Sequence, residues 1–265
     1  MSKDGATPRI SATIVTYQSD VIALRKAVNS LKLCGMPIDI SIVDNYSGAS
    51  YLSRLSQAGL GVRIINSGRN KGFGAGHNLG FALRNEPSAY HLIVNPDVIV
   101  PEGTVRTIVD YMEAHKKVGL LVPKIIDEKG EMQYLCKRQP GILALFGRHF
   151  LPKKLADKLL KKSMDRYAMK DQDYNNIIEA EFLSGCFMVF RSDILARLEG
   201  FDERFFLYFE DADITLRARN ISKAIYFPSA HIIHAWRGGA RISRKLNRIM
   251  IISAFKFFNK WGWKW

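Results

Sequence analysis

Four short runs rich in β-branched and other apolar residues recur in the N-terminal part of the chain: Ile10 to Tyr17, Ile38 to Asn45, Val62 to Asn66 and Tyr90 to Asn95. Helical signals separate them. Leu24, Ala27, Val28 and Leu31 share one face, behind a capping Ser19 or Asp20. A second helix is expected near His77 to Arg84. A third follows Pro101, marked by Val105, Ile108, Val109 and Met112. Strands that alternate with helices dictate an α/β fold. Its largely parallel sheet carries helices on both faces, because each parallel connection must cross over the sheet. "VGLLVPKI" and "GCFMVFR" read as later strands. Ligands of such sheets bind beyond the carboxyl ends of the strands. The polar residues at those ends are Tyr17, Asp44 with Asn45, Asn66, and Asn95 with Asp97. One polar strand end is ordinary turn chemistry, whereas four after successive parallel strands mark a shared crevice.

The 265 residues suit one α/β domain with an appended terminal element, and 47% apolar residues allow a sizeable core. No apolar stretch approaches the ~18 residues of a membrane span. The start, "MSKDGATPRI", has no apolar region of a signal peptide. Cys34, Cys136 and Cys186 are far apart, lack metal-binding spacing and read as reduced thiols of a cytosolic protein. The net charge of +14 is concentrated. Arg148 to Lys170 holds eight Lys or Arg against two acids, and Arg237 to Lys264 holds eight and no acid. Both segments carry apolar residues at helical spacing, which favours an anionic membrane surface over nucleic acid. A basic nucleic-acid-binding protein is the different-class alternative. The neutral remainder and the lack of any recognition motif count against it.

"NSGRNKGFGAGHNLG", Asn66 to Gly80, places five glycines after a strand. They allow either close backbone approach to a phosphate or a tight turn. The segment is not the dinucleotide fingerprint, because His77 stands where a glycine is needed, and there is no P-loop. In "LIVNPDV", Asp97 lies just past a buried strand, where one carboxylate plus ligand phosphates can hold Mg²⁺ or Mn²⁺. His231 and His234 are three apart, so in a strand they point to opposite faces. "FFLYFEDADITLRAR", Phe205 to Arg219, sets Glu210, Asp211 and Asp213 directly behind aromatics, with Arg217 and Arg219 following. Ionised carboxylates are costly beside apolar groups, so that placement needs a reason.

The succession "VTY", "VDN", the glycine-rich loop, "NPD", "SGCFMVFR", "GFDERFFLYFEDADITLR" and a late histidine resembles the family 2 inverting glycosyltransferases of the GT-A fold. Within them it is most similar to bacterial rhamnosyltransferases of O-antigen or cell-wall synthesis. The resemblance covers Ile10 to about Ala240. It implies a Rossmann-like nucleotide-binding sheet, a nucleotide-sugar donor, a divalent cation (Mg²⁺ or Mn²⁺) and transfer with inversion. It implies that Thr16 and Tyr17 border the nucleotide and that Asp44, beside Asn45, accepts from the base N–H. The loop with Asn70, Gly72, Gly74, Gly76 and Asn78 would line the donor pocket. Asn95 would lie near the nucleotide's sugar, Asp97 would hold the metal with His234, and Asn95 departs from the usual pair of acids. Asp211 matches the base that takes the acceptor hydroxyl's proton. Glu210 and Asp213 would shape the site beside it, with Arg217 balancing their charge.

The expected organisation is a catalytic domain over residues 1–240 with a basic insert at 136–180. A basic, aromatic, amphipathic helix would follow at 241–265, lying in a membrane interface. The expected reaction moves L-rhamnose from dTDP-β-L-rhamnose to a polyprenyl-diphosphate-linked sugar. The alternative within the fold is a UDP-hexose donor. The expected location is cytoplasmic, attached peripherally to the inner face of the bacterial plasma membrane, with no nucleic-acid partner.

Overall fold

A computed structural model describes residues 9–139, 164–235 and 244–263. Most of the basic stretch from Arg148 to Lys170 lies outside the described residues, as do Arg237, Arg241, Lys264 and Trp265. The chain begins β1 (Ile10–Thr16), α1 (Val21–Lys32), β2 (Ile38–Asp44), α2 (Ala49–Gln57), β3 (Arg63–Asn66) and α3 (Phe73–Ala82). There follow β4 (Tyr90–Val94), β5 (Val98–Ile99), α4 (Thr104–Ala114) and β6 (Val118–Ile126). Then come β7 (Phe187–Arg191), α5 (Ser192–Arg197), α6 (Glu210–Arg219), β8 (Lys223–His234) and α7 (Arg244–Trp261).

The strands form one eight-stranded sheet in the order β3-β2-β1-β4-β7-β6-β8-β5. Strands β1 to β4 run parallel, β7 is antiparallel to both β4 and β6, and β8 is parallel to β6. The expected α/β architecture is therefore present, with β7 and the short β5 as antiparallel members. Alternation along β1 sorts the two faces. Ile10, Ala12 and Ile14 enter the main core with Leu24, Val28, Tyr51, Leu55, Ile108 and Met112 from α1, α2 and α4. Ser11, Thr13 and Val15 face the other way, towards α3. Asp20 caps α1 by accepting from the Ile22 N–H at 2.8 Å.

Helix α3 begins at Phe73, ahead of the expected start, and the glycines lie inside it. Intrinsic propensity argues against glycine in a helix by about 1 kcal/mol each. Packing overrides it. A Cβ on Gly80 would sit 2.3 Å from Thr13 Cγ2, and one on Gly76 would sit 2.8 Å from Val15 Cγ1. Gly76 and Gly80 let the helix lie directly on the Val15 and Thr13 side chains of β1.

Helix α7 docks on the aromatic run before α6. Phe257, Phe258 and Ala254 share an apolar cluster with Phe182, Phe205 and Phe209. Full burial of each large ring contributes roughly 1.5–3 kcal/mol. The aromatic segment is thus a socket for the C-terminal helix, and that accounts for most of its apolar character.

Candidate active site

The carboxyl ends of β1, β2 and β4 converge with the start of α6. The loops there are strained: Gln18, Tyr46, Tyr208 and Phe209 all have positive φ, at 53°, 65°, 69° and 67°. Non-glycine residues in this region cost of order 1–3 kcal/mol each and cluster at functional sites. Tyr208 and Phe209 are consecutive, and they turn the chain so that α6 starts with its acids facing the strand ends.

Asp211 is half-buried. Its Oδ2 accepts from the Gly185 N–H at 3.1 Å and its Oδ1 from the Ala212 N–H at 2.9 Å. Burial pushes its pKa up, while those N–H groups and the Lys137 charge oppose the rise. Glu210 is buried, and its Oε2 has no hydrogen-bond partner. Burial first, and the Asp211 charge second, push Glu210 well above the usual carboxylate range. Burial pushes both adjacent carboxyls up, Glu210 further than Asp211, whose N–H donors and the nearby Lys137 charge favour the ionised form. Asp213 is fully buried and does different work. It binds Arg217 Nε at 2.8 Å, Lys260 Nζ at 2.6 Å and Trp261 Nε1 at 2.8 Å, which fastens α7 to α6. Arg217 serves Asp213 and the Leu198 and Gly200 carbonyls.

Asp97 and His234 meet although 137 positions of numbering separate them. Strands β5 and β8 pair Val98 with His234, and Asp97 Oδ1 lies 3.5 Å from His234 Nε2. Gln133 donates from Nε2 to the His234 carbonyl at 3.0 Å, so its Oε1 faces His234 Nδ1 at 3.1 Å. Nδ1 therefore donates to Gln133, and Nε2 is the atom presented to Asp97. A carboxylate beside an imidazole whose other nitrogen is fixed by an acceptor is a chemically suitable donor set for a divalent cation. Among the described residues no third His, Cys, Asp or Glu joins them. His231 lies on the exposed side of the strand.

The turn before β7 joins these two clusters. The Cys186 carbonyl accepts from Asn95 N–H at 2.8 Å, and one residue earlier the Gly185 N–H holds Asp211. A Cβ at Gly185 would come within 3.1 Å of Asp211 Cβ, so glycine is needed for that approach.

The remaining expected positions differ in what they offer a ligand. Tyr17 is 51% exposed, and so is its unforeseen neighbour Tyr46 at 57%. Thr16 is buried with its hydroxyl on Tyr51 at 2.7 Å. Asp44 is enclosed and holds the Ser47 N–H at 3.0 Å. Asn45 donates to the Gly72 carbonyl at 2.8 Å and accepts from Lys71 N–H at 3.1 Å, tying β2 to the glycine-rich loop. Asn70 accepts from Gly72 N–H at 3.0 Å. Asn78 clamps Phe201 through both its backbone groups, at 2.7 Å and 2.9 Å. Gly74 and Gly76 are buried against Phe201 and Val15, and Gly72 at φ 94° faces the Phe206 carbonyl. Their missing side chains make room for neighbouring protein. Sequence reading also missed Gln133 and Lys137, because no spacing or motif links them to residues about a hundred positions away.

The family profile described as glycosyl transferase family 2 matches residues 11–198, which span both the strand ends and the turn before β7. The chain belongs to glycosyl transferase family 2. Among its relatives is the N-acetylglucosaminyl-diphospho-decaprenol L-rhamnosyltransferase of Mycobacterium tuberculosis (strain ATCC 25618 / H37Rv). It is 25% identical over 244 residues, which are 86% of this chain and 76% of that one. Rhamnosyltransferase WbbL of Escherichia coli (strain K12) is 26% identical over 217 residues, covering 80% and 78%. The fold is that of GT-A glycosyltransferases. The mannosyltransferase PcManGT from Pyrobaculum calidifontis, solved with GDP-Man and Mn²⁺, superimposes with a TM-score of 0.61 at 15% identity. S. aureus TarS 1-349 with UDP-GlcNAc gives 0.60 at 17%. The two alignments cover 96% and 95% of this family 2 chain, which spans 65% of the mannosyltransferase and 67% of TarS 1-349.

Proposed function

We propose that this family 2 protein is an inverting glycosyltransferase that moves L-rhamnose from dTDP-β-L-rhamnose to a polyprenyl-diphosphate-linked sugar. The observation that carries the reading is Asp211. It is a carboxyl oriented by two backbone N–H groups, adjacent to the buried Glu210, and tied through Gly185 and Cys186 to the Asn95–Asp97 strand end. The names of the rhamnosyltransferase relatives support the sugar and the lipid-linked acceptor.

In the proposed mechanism, Asp211 takes the proton from the acceptor hydroxyl as that oxygen attacks the anomeric carbon. Attack from the face opposite the departing diphosphate would invert the configuration at the anomeric carbon. Glu210, pushed further up by burial and by the Asp211 charge, holds its proton more tightly than Asp211 does. Asp97 and His234 would hold Mg²⁺ or Mn²⁺, which when bound supplies positive charge against the departing diphosphate. Tyr17 and Tyr46 offer exposed rings for the nucleotide. Asp44 has acceptor sites to spare beyond the Ser47 N–H, but it is fully buried, so to accept from a thymine or uracil N3–H its cover must move aside.

The test is transfer by the full chain from dTDP-rhamnose, UDP-galactose, UDP-GlcNAc or GDP-mannose to N-acetylglucosaminyl-diphospho-polyprenol, read by mass spectrometry. A deoxyhexose adduct from dTDP-rhamnose alone is expected. A hexose adduct from a UDP donor would overturn the donor assignment and keep the fold-level reading.

A further inference from the structure

Lys137 enters the site from a side on which no functional group was expected. It lies beyond β6, and its backbone pairs with Phe182 in both directions, at 2.9 Å and 3.0 Å. That pairing sets it beside the segment whose Gly185 holds Asp211. Its Nζ stands 4.9 Å from the centroid of the Phe182 ring and 5.5 Å from that of Tyr167. The side chain is only partly exposed. Among the described residues no carboxylate forms an ion pair with it, although the Asp211 charge reaches it. Its neighbour Arg138 is fully engaged, with a two-pronged pair to Asp171 at 2.7 Å for each contact. Lys260 likewise serves both Asp202 and Asp213.

An enclosed ammonium without a counter-ion is costly, and two aromatic faces offset only part of that cost. Burial pushes the Lys137 pKa down while Asp211 holds it up. Such a cation is available to an anion that arrives with a ligand. Both substrates of the proposed reaction carry diphosphates, and neither Asp97 nor Asp211 can bind one without help. We propose that Lys137 is a substrate-binding residue that takes an oxygen of a substrate diphosphate and thereby sets that substrate against Asp211. The inference rests on the function proposed above. The diphosphate belongs to the nucleotide sugar or to the lipid-linked acceptor.

The experiment uses the full chain with Lys137→Met and Lys137→Arg. The first readout is the thermal shift produced by inorganic pyrophosphate at low salt. The second is the KM for each substrate, with the acceptor offered both as a diphosphate-linked glycan and as a neutral alkyl glycoside of the same sugar. Loss of a charge-assisted bond should raise one KM by about ten- to a hundredfold. Lys137→Met should also lose most of the pyrophosphate shift, and Lys137→Arg should retain it. A KM effect confined to the diphosphate-linked acceptor identifies the acceptor as the source, and an effect on the donor KM identifies the donor. An equal pyrophosphate shift in the parent and Lys137→Met, or none in the parent, overturns the proposal. Failure of the rhamnosyl reading looks different: the parent makes no rhamnosyl product, yet its pyrophosphate shift still depends on Lys137.

Discussion

Asp211 and Glu210 are adjacent in sequence but differ in surroundings: two N–H groups hold Asp211, while Glu210 is more deeply buried. Asp211→Asn keeps the shape and one of the two bonds accepted from Gly185 and Ala212, because its NH2 cannot accept, and it cannot take a proton. Turnover should fall roughly 10²–10⁴-fold while the donor's thermal shift stays near that of the parent. Near-normal turnover would remove Asp211 from the role. Glu210 makes a separate, stability-linked prediction. Its pKa is raised in the fold by burial and by Asp211. The stability it contributes is therefore complete below the unfolded carboxyl's pKa and lost as pH rises through the raised value. Glu210→Gln never ionises. It should melt above the parent at pH 8, with the gap narrowing towards pH 5. Parallel melting curves across that range would show that Glu210 is not the proton-linked group.

Helix α7 and the start of α6 form one structural unit. Phe257 is fully buried against Phe209, with ring centroids 5.2 Å apart. Phe257→Ala should cost about 3–5 kcal/mol in denaturant titration. Asp213→Ala leaves Arg217 and Lys260 partly buried without their shared partner and should cost about 3–5 kcal/mol. Both variants should also slow transfer, because the socket that α7 fills is the segment that aims Glu210 and Asp211. A variant that loses stability but keeps full turnover would uncouple the helix from the site. Helix α3 follows the same logic of contact over propensity, since Gly76 and Gly80 are needed where the helix touches Val15 and Thr13.

The basic charge of the described molecule falls partly on the outer side of α7. Arg244, Lys245, Arg248 and Lys256 are exposed there, together with Ile252 and Trp263. No helix among the described residues is long and apolar enough to cross a membrane. A helix with one face docked and a basic, partly apolar outer face fits peripheral attachment to an anionic bilayer. Truncation from Phe257 cannot test this, because it removes the rings that fill the socket. Replacing Arg244, Lys245 and Arg248 with Gln removes up to ~1 kcal/mol each of surface attraction. Binding to anionic vesicles at low salt should weaken by up to about a hundredfold with the melting temperature unchanged. Undiminished binding would leave docking as the helix's only role.

The alternation of strands and helices was legible along the chain because each element carries its own period. The buried stripes Leu24, Ala27, Val28, Leu31 and Val105, Ile108, Val109, Met112 are the ones their spacing implies. The polar strand ends followed from the parallel connections, and motif order was enough to indicate the family. Tertiary structure decided the duties of individual residues. The glycine-rich segment reads in one dimension as a phosphate approach or a tight turn, and Gly76 and Gly80 within it form a contact surface for β1. The aromatics before Glu210 pose a question in one dimension, and Phe205 and Phe209 among them prove to be the seat of α7. Asp97 and His234 are brought together by the antiparallel pairing of β5 with β8, Gln133 joins them through the turn that folds back on β6, and Lys137 comes within reach of the Asp211 charge through its bridge to Phe182. A side chain's period is a local property of the backbone, so it can be read along the sequence. What a side chain touches depends on strand order and helix docking, which the chain settles only when distant segments compete for the same buried space.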